Sequence, residues 1–181
     1  MCIRDSANAA AAAQADRTLA EAWRSRRAYP LVVTQGDGNL GVKGKNFEML
    51  FSIAGAGPAS LKVNGTEWLW HAPRPAFWRA STDNDRGCGF PLRAAAWMAA
   101  DVFVTYNGMK VLEAGPDCVK VQFQFGIPTV SGASAELVYT VEAQGALRVD
   151  AVYHGVAGAP ELPCFGVKFE TFGPVTRTVW T

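Results

Sequence analysis

The sequence has no excess of charge of either sign. Its 181 residues include 17 lysines and arginines against 16 aspartates and glutamates, a formal net charge of +1, and the two signs are interspersed. A chain without blocks of like charge has no strong surface field to attract a polyanion. The sequence therefore predicts neither a nucleic-acid partner nor a membrane partner.

Paired cysteines and long apolar runs are also missing. The four cysteines are scattered and form no C-x-x-C pair, so their spacing predicts neither a zinc site nor a disulfide framework. Unpaired cysteines favour a reducing compartment, hence the cytoplasm, with the periplasm as the alternative. No apolar run reaches the length of a membrane-spanning helix.

The common catalytic signatures are absent as well. There is no G-x-S-x-G elbow, no glycine-rich phosphate loop and no H-E-x-x-H pair, and the two histidines, His71 and His154, lie far apart in the sequence. We interpret both histidines as structural residues. The sequence therefore predicts no catalytic residue and no metal ligand in this chain.

Short segments in which apolar and polar residues alternate fill the chain from residue 29 onward. Asn64 and Gly65 separate two of them, and this pair favours a tight hairpin turn. Serial strands with one apolar face predict an all-β fold, an antiparallel β-sandwich. One short helix is predicted over residues 91–101. The predicted strands are 31–35, 40–43, 47–53, 61–63, 67–70, 119–125, 136–142 and 147–153.

Both ends of the chain differ from this body. Residues 1–28 begin with an adaptor-like stretch and continue with an alanine-rich, helix-permissive stretch, so we interpret them as a non-native or linker lead. Residues 172–181 end within an apparent strand. We expect residues 29–181 to be one partial β-sandwich domain, incomplete at its C-terminus.

The most unusual stretch is residues 71–90. Two prolines lead into the aromatic pair Phe77 and Trp78, and a dense polar run follows before Gly87 and Gly89. Asp and Asn side chains accept hydrogen bonds from nearby backbone N–H groups. The composition therefore predicts a turn, in which the two glycines permit a positive φ.

The acidic residues of this stretch, Asp83 and Asp85, suggest two other interpretations. A helix–loop–helix calcium site needs glycine at its sixth position and glutamate at its twelfth, and neither falls there. A retaining glycosidase holds two carboxyl groups about 5–5.5 Å apart on rigid elements, which a glycine-bounded turn does not supply. We therefore predict that Asp83, Asn84 and Asp85 are structural.

Residues 75–87 resemble the hallmark of the small-chain domain of β-galactosidases in glycoside hydrolase family 2. The usual family form is Phe or Leu, then Trp-Arg-Ala-Pro-Thr-Asp-Asn-Asp, and glycine two places on; here only the proline differs, being Ser81. The resemblance implies a galactose-mutarotase-like β-supersandwich, of which this chain would hold the first part. It also implies hydrolysis of terminal β-galactosides such as lactose, with retention of configuration.

The resemblance also assigns roles to residues. Gly87 would be the hinge of a loop at the mouth of the active site, and Cys88, Gly89 and Phe90 would lie in that loop. The docking residues would be Phe77, Trp78 and Arg79, and the turn would be held by Asp83, Asn84 and Asp85.

Partners and cofactors follow from the same resemblance. The two catalytic glutamates would lie on a separate barrel of the same enzyme, so this chain would be an accessory domain that is inactive alone, in an enzyme that is a homo-oligomer. No cofactor would bind this fragment, and any Mg²⁺ or monovalent cation would sit on other domains.

Two other functions were compared with this one. A stand-alone sugar-binding module would use Trp68, Trp70 and Trp78 as stacking platforms. A mutarotase-like epimerase would need a histidine and a carboxylate that face one sugar pocket, and the scarcity of histidine counts against it.

Overall fold

The alternating segments fold into antiparallel β-sheets in a computed structural model that describes residues 29–172. The predicted lead, residues 1–28, lies outside the described residues, as do residues 173–181. Within the described part there are eleven strands and three short helices. The strands are β1 Val32–Gln35, β2 Asn39–Lys43, β3 Phe47–Ser52, β4 Gly57–Val63, β5 Thr66–Glu67, β6 Leu69–Ala76, β7 Thr105–Ala114, β8 Cys118–Gly126, β9 Ser134–Glu142, β10 Leu147–His154 and β11 Gly166–Thr171; the helices are α1 Asp83–Gly87, α2 Phe90–Arg93 and α3 Ala95–Phe103.

Three sheets arise from these strands. One has the order β1-β2-β3-β4-β5, a second has the order β10-β9-β8-β7, and β11 pairs with β6 in a third. The first two pack face to face, since the ring of Phe51 in β3 lies 6.2 Å from that of Phe123 in β8 and 5.7 Å from that of Tyr139 in β9. The prediction of an all-β antiparallel sandwich is confirmed.

Strands β8 and β9 show why the sandwich forms. Their inward residues pair directly across the two strands, for example Val121 with Tyr139 and Phe123 with Leu137. All four side chains are fully buried, and each burial stabilises the fold by roughly 1.5–3 kcal/mol. The alternation in the sequence therefore builds one wall of the core.

The hydroxyl group of Tyr139 lies in this core without a hydrogen-bond partner among the described residues. Burial raises the pKa of Tyr139 because the phenolate would be desolvated. A buried hydroxyl without a partner opposes folding.

We therefore expect Tyr139→Phe to leave the free energy of unfolding unchanged or to raise it by up to about 1 kcal/mol. Chemical denaturation of both proteins measures this difference. A loss above about 1 kcal/mol would mean that the hydroxyl has a partner in solution.

A tight turn and one carboxylate organise the corner between the first and third sheets. Asn64 and Gly65 have φ of 51° and 81° and join β4 to β5, which confirms the predicted hairpin. Just after them, Glu67 accepts hydrogen bonds from the N–H groups of Leu61 at 2.8 Å and of Trp68 and Leu69 at 3.1 Å, and from the hydroxyl of Ser60. This carboxylate fixes the point at which the chain leaves the first sheet.

The helical region differs from the prediction of one helix over residues 91–101. The chain forms α2 and α3, with a break at Ala94, whose φ and ψ of −99° and 9° fall outside the helical range. The break leaves Ala94 and Trp97 both buried. A third helix, α1, occupies the residues predicted as a turn, because Thr82 caps its first turn.

The sequence assigned neither β7 nor β11. Strand β7 contains two register shifts against β8, one at Asn107 and one at Leu112. Each bulge adds a residue and reverses the inward and outward positions, so the period of two is lost along the strand. Among residues 29–172, strand β11 pairs only with β6, and that pairing also contains register shifts.

Candidate functional site

The residues that the sequence singled out lie in one segment, residues 77–90, which we call the motif turn. Strand β6 leads into it, and the buried residues Pro73 and Pro75 stiffen this strand. Proline is tolerated in β6 because, within the part of the chain that the structure describes, this strand pairs on one side only, with β11.

An aromatic cluster anchors the start of the motif turn. Phe77 is fully buried, and its ring lies 5.8 Å from the rings of Trp97 and Phe165 and 6.2 Å from that of Tyr153. Trp97 also donates through Nε1 to the carbonyl of Pro160 at 3.0 Å. The motif turn is therefore fixed on α3, on β10 and on the loop before β11.

Two further contacts hold the backbone of the turn. The N–H group of Phe77 donates to the carboxylate of Asp101 in α3. Arg79 donates through Nε to the carbonyl of Pro163 at 3.3 Å. Trp78 is partly buried and packs against the core. Phe77, Trp78 and Arg79 thus each contact neighbouring elements, and their role as docking residues stays a prediction.

Asp85 is the centre of the polar run. Its two carboxylate oxygens accept from Nη1 and Nη2 of Arg79 at 2.6 and 3.2 Å. It also accepts from the N–H of Thr82 at 2.8 Å, while the hydroxyl of Thr82 accepts from the N–H of Asp85 at 3.2 Å. This reciprocal arrangement is a capping box, and it begins α1.

These bonds hold Asp85 in its charged form. The Arg79 guanidinium, followed by the N–H of Thr82, lowers the pKa of Asp85 far below its ordinary value. Its side chain is only 16% exposed, whereas that of Asp83 is 98% exposed and contacts Arg86 at 3.2 Å. One carboxylate is locked in an ion pair and the other lies in solvent, an arrangement that does not suit a glycosidase pair.

We expect Asp85→Asn to lower the melting temperature of the chain clearly more than Asp83→Asn does. The first change removes the charge from both the ion pair and the helix cap, whereas the second affects only an exposed i,i+3 pair, which stabilises a helix little. Thermal melts followed by circular dichroism measure both variants. Equal melting temperatures for the two would contradict a structural role for Asp85.

The predicted loop, Gly87 to Phe90, is well anchored at its far end. Phe90 is buried in the core, while Cys88 is exposed and its carbonyl accepts from Arg93. Gly89 has a positive φ of 67°, whereas Gly87 lies in the last turn of α1 without one. The helical hydrogen bond from the N–H of Cys88 to the carbonyl of Asn84 includes Gly87 in the helix. A hinge at Gly87 stays a prediction.

The two glycines therefore respond differently to alanine. A Cβ at Gly87 would meet no atom within 4 Å, so we expect Gly87→Ala to stabilise the chain by about 0.5–1 kcal/mol through helix propensity. Gly89→Ala places a side chain in the left-handed region and should cost about 1–2 kcal/mol. Urea denaturation compares them; a loss of stability in Gly87→Ala would show that the residue needs a glycine-only conformation.

The three tryptophans proposed as a sugar platform differ in exposure and packing. Trp68 and Trp70 are exposed, and Trp70 packs edge-on against Phe172 at 4.7 Å, whereas Trp78 packs against the core. This division does not favour the stand-alone sugar-binding module.

Both histidines lie at the surface beside a carboxylate. Nδ1 of His71 lies 2.8 Å from Glu170, a contact that joins β6 to β11, and Nε2 of His154 lies 3.5 Å from Glu136. In the first pair, Lys168 and then His71 lower the pKa of Glu170. An epimerase would need the histidine and the carboxylate on either side of a sugar, and at 2.8 Å there is no room for one between them.

Three residues of the site were not predicted: Asp101, Tyr153 and Phe165. No local signal identifies them, because each lies in a different element and reaches the motif turn only in the folded chain. Among residues 29–172, no three His, Cys, Asp or Glu side chains are grouped so that they could hold a metal ion. In the same part of the chain, no helix is long and apolar enough to cross a membrane.

Comparison with known proteins identifies the family. The model described as "Beta galactosidase small chain" matches residues 43–181. The chain is 40% identical over 169 residues to the "Beta-galactosidase small subunit" of Latilactobacillus sakei, covering 83% of this chain and 53% of that protein. It is 38% identical to a "Beta-galactosidase" of Streptococcus thermophilus and 34% identical to one of Clostridium acetobutylicum, covering 77% and 82% of this chain.

The chain spans about half the length of the small-subunit relative, and 14% and 16% of the lengths of the Streptococcus and Clostridium proteins. The family match includes the whole motif turn, with its aromatic anchor and its capped helix. On this evidence, the chain belongs to the β-galactosidase small-chain family.

Proposed function

We propose that this chain is an accessory part of a β-galactosidase of glycoside hydrolase family 2. In this role it forms the first part of a galactose-mutarotase-like β-supersandwich and packs beside the catalytic barrel. The observation that carries the proposal is the match of residues 43–181 to the small-chain family, which includes a motif turn built for rigidity rather than for proton transfer.

The chemistry of the motif turn supports an accessory role. A general acid needs a raised pKa and a free proton, but Arg79 keeps Asp85 ionised and fully bonded. Asp83 is 98% exposed and contacts Arg86 at 3.2 Å, so it does not lie in an enclosed site. The two catalytic glutamates of the enzyme would therefore be supplied by another part of it, together with any Mg²⁺ or monovalent cation site.

The role of the motif turn is then to shape the mouth of the active site. Its first half is fixed by Phe77 and Arg79, and its second half by Phe90 and Gly89, which leaves α1 and Cys88 as the exposed part between two anchors. This exposed part positions a terminal β-D-galactoside, such as lactose, for hydrolysis with retention of configuration. It contributes no reacting group. The complete enzyme is proposed to be a homo-oligomer.

A chimera tests this proposal. Residues 43–181 replace the matching segment of the Streptococcus thermophilus protein, which is 38% identical over the aligned part, and hydrolysis of a chromogenic β-galactoside is measured. We expect the chimera to hydrolyse the substrate within about tenfold of the parent, and this chain alone to show no turnover.

The control variant lies outside the motif turn. Asp117→Asn, in the turn between β7 and β8, should leave the activity of the chimera unchanged, because Asp117 is exposed, whereas deletion of the whole segment should abolish it. A soluble chimera with native circular dichroism but no hydrolysis would overturn the proposal. Turnover by this chain alone would overturn it too.

A further inference from the structure

Helix α3 is apolar on two opposite sides. Trp97 and Ala100 face inward and are fully buried, but Met98 and Val102, one turn apart, are 53% and 70% exposed. Phe103 in the same helix and Leu92 in α2 are also exposed. We call these four exposed residues, Leu92, Met98, Val102 and Phe103, the outer helix face. A helix that is apolar all round is normally covered on both sides.

A charged cleft borders this face. It has a volume of about 460 Å³ and lies where Asp101 and Val102 of α3 meet β6 and β11. Glu170 within it contacts Lys168 and His71, each at 2.8 Å, and Asp101 accepts from the N–H of Phe77.

Arg74 also lines the cleft. Unlike Lys168 and Glu170, it makes no ion pair with any residue of the described part of the chain. An unpaired guanidinium is suited to a carboxylate supplied from outside, because it binds one through two parallel hydrogen bonds.

We propose that the outer helix face and this cleft together form the surface on which the catalytic part of the enzyme docks, with an apolar patch over Met98 and Val102 and a carboxylate opposite Arg74. This inference rests on the proposed function and names the surface that the function requires. An apolar centre with a charged rim that contains arginine is the usual anatomy of a stable protein interface.

The lengths of the relatives identify the occupant. The aligned segment makes up 14% and 16% of the two proteins named β-galactosidase, so most of each polypeptide lies outside the segment and supplies the surface that we propose covers it. The outer helix face directly follows the motif turn in the chain. A docked catalytic part therefore covers α3 and, at the same time, holds the motif turn at its edge.

The experiment uses the same chimera with a double variant, Met98→Glu and Val102→Glu. We expect hydrolysis to fall at least about tenfold, because two charges would be buried against an apolar surface. Amides 95–103 should exchange hydrogen faster in the variant chimera than in the unmodified one. In the separate 181-residue chain, the same double variant should leave the melting temperature unchanged, since both positions are already exposed.

Leu112→Glu is the matched control, because Leu112 is 46% exposed but lies on β7 in the second sheet. It should leave the activity of the chimera unchanged. A second variant, Arg74→Gln, should lower hydrolysis at low salt and make the hydrolysis less sensitive to salt, because it removes the proposed ion pair.

Each outcome is decisive. A double variant with full activity and unchanged exchange overturns the docking surface while the proposed function stands. An inactive unmodified chimera overturns the proposed function and this inference with it. Protection of amides 95–103 that appears in this chain alone and rises with its concentration would show that a second copy covers the face, which overturns the assigned occupant.

Discussion

Replacing Phe77 by alanine is expected to lower the free energy of unfolding by about 3–5 kcal/mol, the usual cost of a large cavity in a core. The ring is fully buried and contacts Trp97, Tyr153 and Phe165, so its loss opens a cavity among these three rings. In a chain of this size the melting temperature should fall by roughly 6–20 °C. Thermal and urea unfolding of the two proteins measure the change.

The matched control is Leu92→Ala, which removes a large apolar side chain that is 86% exposed. Its effect should stay within about 0.5 kcal/mol. Because Phe77→Ala could unfold the chain entirely, Phe77→Leu gives an intermediate case with a loss of about 1.5 kcal/mol or less. Equal stability of Phe77→Ala and Leu92→Ala would contradict the anchoring role of the aromatic cluster.

Replacing Glu67 by alanine should have the second largest effect, a loss of about 2–3 kcal/mol. The change leaves the partly buried N–H groups of Leu61 and Leu69 without their carboxylate acceptor, and hydrogen bonds to a charged group are worth about 1.5–3 kcal/mol each, without full additivity. Glu67→Gln keeps one acceptor oxygen and should lose only about 1 kcal/mol. Urea unfolding at pH 7 measures both.

The effect of Glu67 depends on pH in a defined direction. Partial burial alone raises the pKa of Glu67, but the hydrogen bonds from Ser60 and from three backbone N–H groups outweigh it and leave the pKa below its ordinary value of 4.5. A carboxyl group whose pKa is lowered on folding stabilises the fold above its unfolded pKa. This stabilisation is therefore complete above about pH 4.5 and disappears as the pH falls through the lower, folded pKa.

The stability difference between the wild-type chain and Glu67→Gln should accordingly be largest near pH 7 and shrink below about pH 4.5. Glu161→Ala is the control, because Glu161 is exposed and its loss should change the stability by less than about 0.5 kcal/mol. A difference that grows as the solution is acidified would show that the pKa of Glu67 is raised instead.

The sandwich could be predicted from the sequence where its strands are regular. In β8 and β9 every second residue is apolar and buried, and the pairing contains no register shift, so the period of two is visible in the sequence. Asn64 and Gly65 mark their turn for a similar reason, since few residues tolerate the positive φ that it needs. Both features depend on residues that are close together in the sequence, so they could be predicted from it.

The elements that were missed depend on contacts between distant residues or on irregular geometry. Bulges remove the alternation of apolar and polar residues in β7. The groups that donate hydrogen bonds to Glu67 are mostly backbone N–H groups, which nearly every residue carries and which therefore leave no signal in the sequence. For the motif turn, the sequence predicted Phe77, Trp78 and Arg79 as docking residues but not the residues that they contact. Their partners, Asp101 and Phe165 among them, lie up to about 90 residues further along the chain.

The docking of the motif turn also sets an order of events during synthesis. Arg79 binds the carbonyl of Pro163, 84 residues later, and a ribosome adds about 5–20 residues per second. Roughly 4–17 s therefore pass between the synthesis of Arg79 and that of Pro163. During this time Phe77 also lacks its contacts with the rings of Tyr153 and Phe165. Hairpins such as β1–β2 form from adjacent segments, so the nascent chain completes the motif turn only after much of the first sheet has paired.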